Sequence, residues 1–374
     1  MPSPRQSYRP VVVITGAAGL IGSSLAEKLS GEYQVVGFDI AEPDKLPGDS
    51  KFIKCDLTDD SNVAKAISSL TDQVGNNIAS VIHLAAYYDF SGDPSPMYDK
   101  LTVEGTRRLL QQLQPLSVEQ FVFSSSLLVM KSADTGETID EDSPTEALWD
   151  YPQSKVKAER AIHESRDHIP SVVLRVAGVY DEDCNSIPIA QQITRIYERA
   201  MESYFFPGNK EHGQPFIHLD DLVNCFHAVI KKRGQLGDEE MFLIAEDELL
   251  SYEQLQDEIG ELVHGKQWPT IRIPKSVAKA GAWAQEKISG DEEAFIKPWM
   301  IDLADTHHPV TIEHARRRLD WSPRHKLSQT LPVMIRRLKD NPKAWYERNG
   351  LTLPDGGPDE EQESAGAGSE SKSR

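Results

Sequence analysis

Three side chains in this chain are suited to moving a proton together. Tyr151 and Lys155 stand four residues apart in Tyr151-Pro152-Gln153-Ser154-Lys155, and Ser126 closes the run Phe123-Ser124-Ser125-Ser126. On a helix, residues four apart share a face, so Lys155 would lie beside the Tyr151 phenol. A free phenol titrates at about 10, too high for efficient proton transfer at neutral pH. A neighbouring ammonium favours the phenolate, so Lys155 is expected to hold the Tyr151 pKa down. Ser126 can donate to a substrate oxygen and position it. Such a set serves hydride transfer at a carbinol carbon, where a proton must move with the hydride.

A turn upstream offers a place for the hydride carrier. Thr15-Gly16-Ala17-Ala18-Gly19-Leu20-Ile21-Gly22 follows the β-branched run Val11–Thr15 and opens the helical spacing of Leu20–Leu29. A glycine-rich turn alone is a weak signal, but a strand before it and a helix after it are the context it needs. Gly16 permits the tight turn, Gly19 lets backbone approach a pyrophosphate, and Gly22 lets the helix pack close to the sheet. The helix start then offers free N–H groups and a positive dipole end. Asp39 follows at the end of the second strand. Its carboxylate can accept from ribose hydroxyls and would repel a 2′-phosphate, which favours NAD over NADP.

These residues need a scaffold that gathers them. Strands are expected at Val11–Thr15, Gln34–Phe38, Phe52–Cys55, Val81–Leu84, Gln120–Ser124 and Val172–Arg175. Between them lie helices at Leu20–Leu29, from a Thr58 or Asp59 cap to about Ser69, near Met97–Gln112, and around Tyr151 and Lys155. Alternation of this kind predicts an α/β fold, a doubly wound parallel sheet covered on both faces. Later come helical segments at Ile189–Glu202, Tyr252–Val263, Ser276–Lys287, Ile312–Leu319 and Ser328–Lys339. Strands are expected at Pro215–Leu219, leading into a helix from Leu222, and at Met241–Ile244. The predicted division is a dinucleotide-binding domain (residues 10–180 plus about 215–245) and a smaller, mainly C-terminal α+β substrate domain (about 181–214 plus 246–350). Residues 352–374, rich in Gly, Ser and acid, are expected to form a disordered acidic tail.

Composition narrows the partners. The formal charge of −19 over 374 residues argues against nucleic acid and anionic membranes. Three scattered cysteines with no CxxC pair are too few for a disulfide framework and argue against thiol redox chemistry and a cysteine zinc site. They fit a reducing compartment, so a cytoplasmic location is expected. No signal peptide and no integral membrane segment is expected, since no stretch of 18 apolar residues occurs. No metal is expected either: adjacent His307 and His308 chelate poorly together, and no acid stands at helical spacing to join them. His83 and His218 are read as satisfied structural histidines. Tyr87, Tyr88 and Phe90 follow the fourth strand, where substrate contact and packing under a loop are both open. Trp268, Trp283, Trp299 and Trp321 are read mostly as core, and Ser276–Lys287 as a core helix rather than a membrane-surface one.

From about Val11 to Trp321 the chain resembles the extended short-chain dehydrogenase/reductase family. The likeness rests on Thr15–Gly22, Asp39, Asp56-Leu57, His83-Leu84-Ala85-Ala86, Ser124–Ser126, Tyr151–Lys155, Leu174-Arg175 with Val179-Tyr180, Ile217–Asp221 and Leu319–Pro323. Within that family it looks most similar to nucleotide-sugar epimerases and dehydratases, with the 3β-hydroxysteroid dehydrogenase and dihydroflavonol reductase branch a near neighbour. The resemblance implies Ser126, Tyr151 and Lys155 as the catalytic set. It implies NAD contacts from Gly16, Gly19, Leu20, Ile21, Gly22, Asp39, Ile40, Asp56, Leu57, Leu84, Ala85, Ala86, Ser124, Tyr151, Lys155 and Val179, with Asp56 and Leu57 flanking the adenine. It also implies a small-molecule substrate, a sugar nucleotide or another secondary alcohol or ketone, and a homodimer as the family's frequent state.

Three departures bear on chemistry. Thr102-Val103-Glu104-Gly105-Thr106 stands where the family usually carries Asn-Val-x-Gly-Thr. Leu127 and Leu128 replace the Asp-Glu pair of the 4,6-dehydratases, which removes the acid for eliminating water. Gln214 and Pro215 stand where many nucleotide-sugar enzymes place an Arg for the diphosphate. A dehydratase is therefore disfavoured, and alcohol or ketone substrates gain. Epimerase and dehydrogenase outcomes both stay open, as does a redox-sensing NAD-binding protein without turnover, although an intact Ser/Tyr/Lys set argues against the last.

Overall fold

The computed structural model describes residues 9–43, 45–89, 93–278 and 304–354. The chain begins with β1 (Val11–Thr15), α1 (Leu20–Leu29), β2 (Gln34–Asp39), β3 (Lys51–Lys54), α2 (Asp60–Val74) and β4 (Asn77–His83). It continues with α3 (Glu104–Leu113), β5 (Ser117–Val118), β6 (Phe121–Ser126), α4 (Asp150–Ser165), β7 (Ser171–Val176) and β8 (Gly178–Tyr180). Then follow α5 (Ile187–Tyr197), β9 (Phe205–Phe206), β10 (Phe216–His218), α6 (Leu219–Lys231), β11 (Glu239–Ile244), α7 (Tyr252–His264) and β12 (Ile271–Arg272). The last described helices are α8 (Glu313–Leu319), α9 (Leu327–Asp340) and α10 (Pro342–Arg348).

The main sheet has the order β11-β7-β6-β4-β1-β2-β3, with β5 beside β4, and every pairing is parallel. Strand order reverses between β1 and β4, which opens a crevice beyond their carboxyl ends. Thr15, Asp39, His83 and Ser126 all end strands, so the sheet delivers them to one edge. Two apolar layers cover it: α1 and α6 pack with one face, and α2, α3 and α4 with the other. Burial on both faces explains the near-continuous apolar strands. A third apolar cluster joins α5, α7, α9 and α10 through Ile193, Ile259, Leu331 and Trp345.

Local chemistry explains where elements start and stop. Asp59, not Thr58, caps α2 by accepting from the Asn62 N–H at 2.7 Å. The helix runs past Ser69 to Gly75, whose φ of 81° no other residue adopts readily. The helix expected near Met97 starts as a π-helical turn, Tyr98–Val103, before α3. The segment expected to be helical to Glu202 ends at Tyr197, because Arg199 turns left-handed and a 3₁₀ turn, Met201–Tyr204, follows. Helix α6 starts at Leu219, earlier than expected, because the His218 side chain caps it. Helix α10 had no counterpart in the sequence reading, although Asn341-Pro342 is a cap-and-first-turn signal: Asn341 accepts from the Ala344 N–H at 3.1 Å. Phe90, Trp283, Trp299, most of Ser276–Lys287 and the acidic tail beyond Pro354 lie outside the described residues.

Candidate active site

The glycine turn is built as the dinucleotide reading requires. Gly16 has φ 73°, and a Cβ there would sit 3.0 Å from the Ala85 nitrogen. At Gly22 a Cβ would lie 2.1 Å from the Gly16 carbonyl oxygen. Both contacts are with backbone, which cannot swing away. Gly19 caps α1 with extended backbone and, among the described residues, no side chain caps that helix end by a hydrogen bond, leaving its N–H groups for an anion. Asp39 spans the turn: its carboxylate accepts from Ala18 N at 3.0 Å and Ile40 N at 2.7 Å. This arrangement fits a dinucleotide, with Leu20 and Ile40 exposed at the rim. Asp56 is held by Thr58, accepting from its N–H at 2.8 Å and its hydroxyl at 2.7 Å. The Leu57 side chain is buried in the core against Gly105, so it presents no exposed apolar surface to an adenine.

A directed hydrogen-bond chain fixes the floor of the crevice. The Ala85 N–H meets Thr15 Oγ1 at 3.2 Å, and Thr15 Oγ1 meets His83 Nδ1 at 2.7 Å. His83 Nε2 reaches Thr106 Oγ1 at 2.9 Å, and Thr106 donates to the Thr102 carbonyl at 2.6 Å. Because Thr106 spends its proton on Thr102, it accepts from His83 Nε2–H. Burial pushes the His83 pKa down to about 3, so the ring is neutral and its Nδ1 accepts from Thr15. The Thr102 hydroxyl accepts from the Tyr87 N–H at 3.0 Å, a structural use of the position where the family pattern carries Asn.

Strand β6 and helix α4 bring Ser126, Tyr151 and Lys155 together. The Ser126 Oγ accepts from the Leu128 N–H at 3.2 Å, and Ser126 and Tyr151 line the same cavity. Lys155 is 3% exposed, and its Nζ donates to the Ser124 carbonyl at 2.7 Å. It lies 4.8 Å from the Phe123 ring centroid and 5.7 Å from that of Tyr151. The electrostatics depart from expectation. Burial pushes Tyr151 up to about 12, opposed by the nearby Ser126 hydroxyl, so at neutral pH the group is a phenol. The rings of Tyr88 and Trp149, at 4.9 and 5.5 Å, enclose it. Burial also pushes Lys155 down to about 8, with Glu159 opposing. Desolvation thus outweighs the expected help from Lys155 to the phenolate.

A cavity of about 970 Å³ opens beside this set and is lined by Ser126, Tyr151 and Val179. Its walls are largely apolar, with Leu127, Leu128 and Met130 on one side and Phe205, Phe216 and Leu255 on another. Among the described lining residues Arg195 is the sole Lys or Arg. Gln214 donates to Thr306 Oγ1 at 2.7 Å, and its Oε1 meets His308 Nδ1 at 2.9 Å. His308 is thereby part of the cavity wall, and His307 Nδ1 accepts from the Gly213 N–H at 3.2 Å. Sequence reasoning did not find this wall, because it is assembled from segments scattered from Leu127 to His308.

One other cluster, His218, Asp220 and His325, gathers possible metal-ligand atoms within 4.8 Å of one another. The two imidazoles stack with centroids 4.0 Å apart and planes at 19°. Lone pairs lie in the ring planes, so stacked rings do not aim at one ion. His218 Nδ1 also accepts the Asp220 N–H, leaving the proton on Nε2. The cluster caps α6 and is a poor chelate. Among the described residues no helix is long and apolar enough to cross a membrane.

Comparison with known proteins agrees with this geometry. Sterol-4-alpha-carboxylate 3-dehydrogenase (decarboxylating) of Candida albicans is 32% identical over 45% of this chain, which spans 50% of that protein's length. A 3-beta-hydroxysteroid dehydrogenase of Mycolicibacterium neoaurum is 22% identical over 86% of this chain and 89% of its own. The solved UDP-glucuronic acid 4-epimerase of Bacillus cereus, in complex with UDP-glucuronic acid and NAD, superposes with a TM-score of 0.64. It shares 21% identity and covers 88% of this chain and 99% of its own. The model of the NAD dependent epimerase/dehydratase family matches residues 12–245, most of the described sheet and both halves of the candidate site. The chain belongs to that family, the extended short-chain dehydrogenase/reductases, and NAD is its cofactor.

Proposed function

We propose that this protein is an NAD-dependent oxidoreductase acting on a secondary alcohol or ketone carried by a large, mainly apolar molecule, with Tyr151 exchanging the proton. The observation that carries this reading is the apolar cavity opening onto Ser126 and Tyr151. Bound at the glycine turn and Asp39, NAD supplies the hydride acceptor, and in its reduced form the donor. Ser126 orients the substrate oxygen. In reduction Tyr151, a phenol at neutral pH, gives its proton to the ketone oxygen; in oxidation its phenolate takes the alcohol's hydroxyl proton as the hydride leaves for NAD⁺. Lys155 anchors the phenol's side of the site and binds the nicotinamide ribose. Residues 181–214 and 246–350 serve as the substrate-binding part.

A sugar-nucleotide substrate is the second reading, favoured by the bound ligand of the solved epimerase. Against it stand the apolar wall and Gln214, whose polar atoms are already engaged with Thr306 and His308. The test is NADH formation with a 3β-hydroxysteroid and, because epimerisation leaves no net NADH, chromatographic product analysis with UDP-glucose, using wild type and Tyr151→Phe. Turnover is expected with the apolar alcohol and should fall by roughly 10²–10⁴-fold in the variant. NAD affinity should stay near wild type. Undiminished turnover in Y151F overturns the assignment of Tyr151, and turnover of UDP-glucose alone overturns the substrate class.

A further inference from the structure

Helix α5 turns a polar face to the apolar cavity. Ile189, Ile193 and Ile196 are buried in the cluster it shares with α7, α9 and α10. Ile187, Gln191 and Arg195 follow at four-residue steps on another face, and all three line the cavity. The Arg195 Nε donates to the Gln191 carbonyl at 3.1 Å, so the side chain leans back one turn toward the helix start. That start also meets the cavity. Ser186, the N-cap, is 6% exposed, makes no capping hydrogen bond through its side chain and lines the same space. A guanidinium and the positive end of a helix dipole therefore share one wall.

We propose that Arg195 is a specificity-determining residue that pairs with a single carboxylate carried by the otherwise apolar alcohol or ketone. This rests on the apolar-substrate reading given above. A pure hydrocarbon filling the cavity would strip water from the half-buried Arg195 side chain and return nothing, which is strongly disfavoured for an ion. A carboxylate on the ligand replaces that water with charge-assisted hydrogen bonds, in a fork geometry that the planar guanidinium matches. The wall also carries two acids, the exposed Glu146 and the half-buried Glu202, which repel further negative charge. One cation beside two acids suits one negative charge rather than the two of a diphosphate. Arg195 stands on α5 and Tyr151 on α4, so separate elements hold the anion and the carbinol carbon, and the pairing sets which way a long substrate lies.

The experiment titrates NAD⁺-loaded protein by calorimetry with two ligands, a 3-ketosteroid bearing a side-chain carboxylate and its methyl ester. With NAD⁺ in the site the ketone cannot be reduced, so binding is read without turnover. Wild type should bind the acid roughly ten- to a hundredfold more tightly than the ester. Arg195→Met should abolish that preference. Arg195→Lys keeps the charge without the planar fork and should retain part of it. Arg195→Gln also lacks the charge, and it decides the matter if R195M does not fold. Equal affinity for acid and ester in wild type, or an acid preference that survives in R195M or R195Q, overturns the proposal and leaves the apolar-substrate reading standing. Binding of neither ligand overturns both.

Discussion

Replacing Lys155 by Met should make this protein more stable and less competent at once. Burial holds the Lys155 pKa at about 8, below the 10.5 of an ordinary lysine. That difference of two to three units corresponds to roughly 3 kcal/mol at ~1.36 kcal/mol per unit, a penalty for keeping the ammonium in the folded state. The sign follows from proton counts. Between pH 8 and 10.5 the native state binds fewer protons than the unfolded state, so stability rises with pH across that window and the penalty is complete below it. Met removes the charge at similar volume. It also leaves the Ser124 carbonyl without its donor, which costs about 1–3 kcal/mol. The net expectation at pH 7 is a gain of about 1 kcal/mol, or about 2 °C in melting temperature. Above pH 10.5 the advantage should vanish and reverse, because wild-type Lys155 is then neutral in both states. Thermal melts of both proteins from pH 7 to 11, with NAD⁺ titration alongside, read the two effects. A melting-temperature difference that is independent of pH, or that favours wild type most strongly at pH 7, refutes the reasoning: Lys155 would then be a stabilising residue rather than one retained for its chemistry.

Other expectations follow from single contacts. Gly22→Ala places a Cβ 2.1 Å from the Gly16 carbonyl oxygen and 2.8 Å from Ala17 Cα. Backbone must move, at roughly 1–3 kcal/mol. Calorimetry should show NAD⁺ binding weakened by about tenfold for each 1.4 kcal/mol of that strain felt at the turn. Glu246, buried and accepting from the Tyr180 hydroxyl at 2.7 Å, has its pKa raised from 4.5 to about 7 by burial. The native state therefore holds more protons between these values, and stability should fall as pH rises through that window, by roughly 3 kcal/mol at most. Glu246→Gln should flatten that part of the melting profile; an unchanged slope would mean another group titrates there.

Much of this protein was written in local pattern. The run Val11–Thr15, the glycines after it and Asp39 specify a strand, a turn and a carboxylate by steric need alone, and the structure builds them in that form. The four-residue step from Tyr151 to Lys155 makes a shared helix face, because a helix repeats every ~3.6 residues. Element type was legible wherever apolar periodicity was long. Boundaries were less so, since they depend on capping contacts such as His218 on Asp220 N–H and on backbone reversals such as Arg199.

What spacing does not contain is the environment. Whether Lys155 lowers the Tyr151 pKa depends on how much water each group keeps, and that is settled by rings and strands distant in sequence: Tyr88, Trp149 and Phe123. The same holds for Glu159 and Arg175, whose ion pair exists because β7 lies beside β6. The apolar cavity wall is likewise a product of chain crossing, joining Leu127 to Phe216 and His308. Covalent order sets which groups are present and their local geometry. Desolvation and Coulomb terms depend on distances through space, so only the folded arrangement decides what those groups are worth.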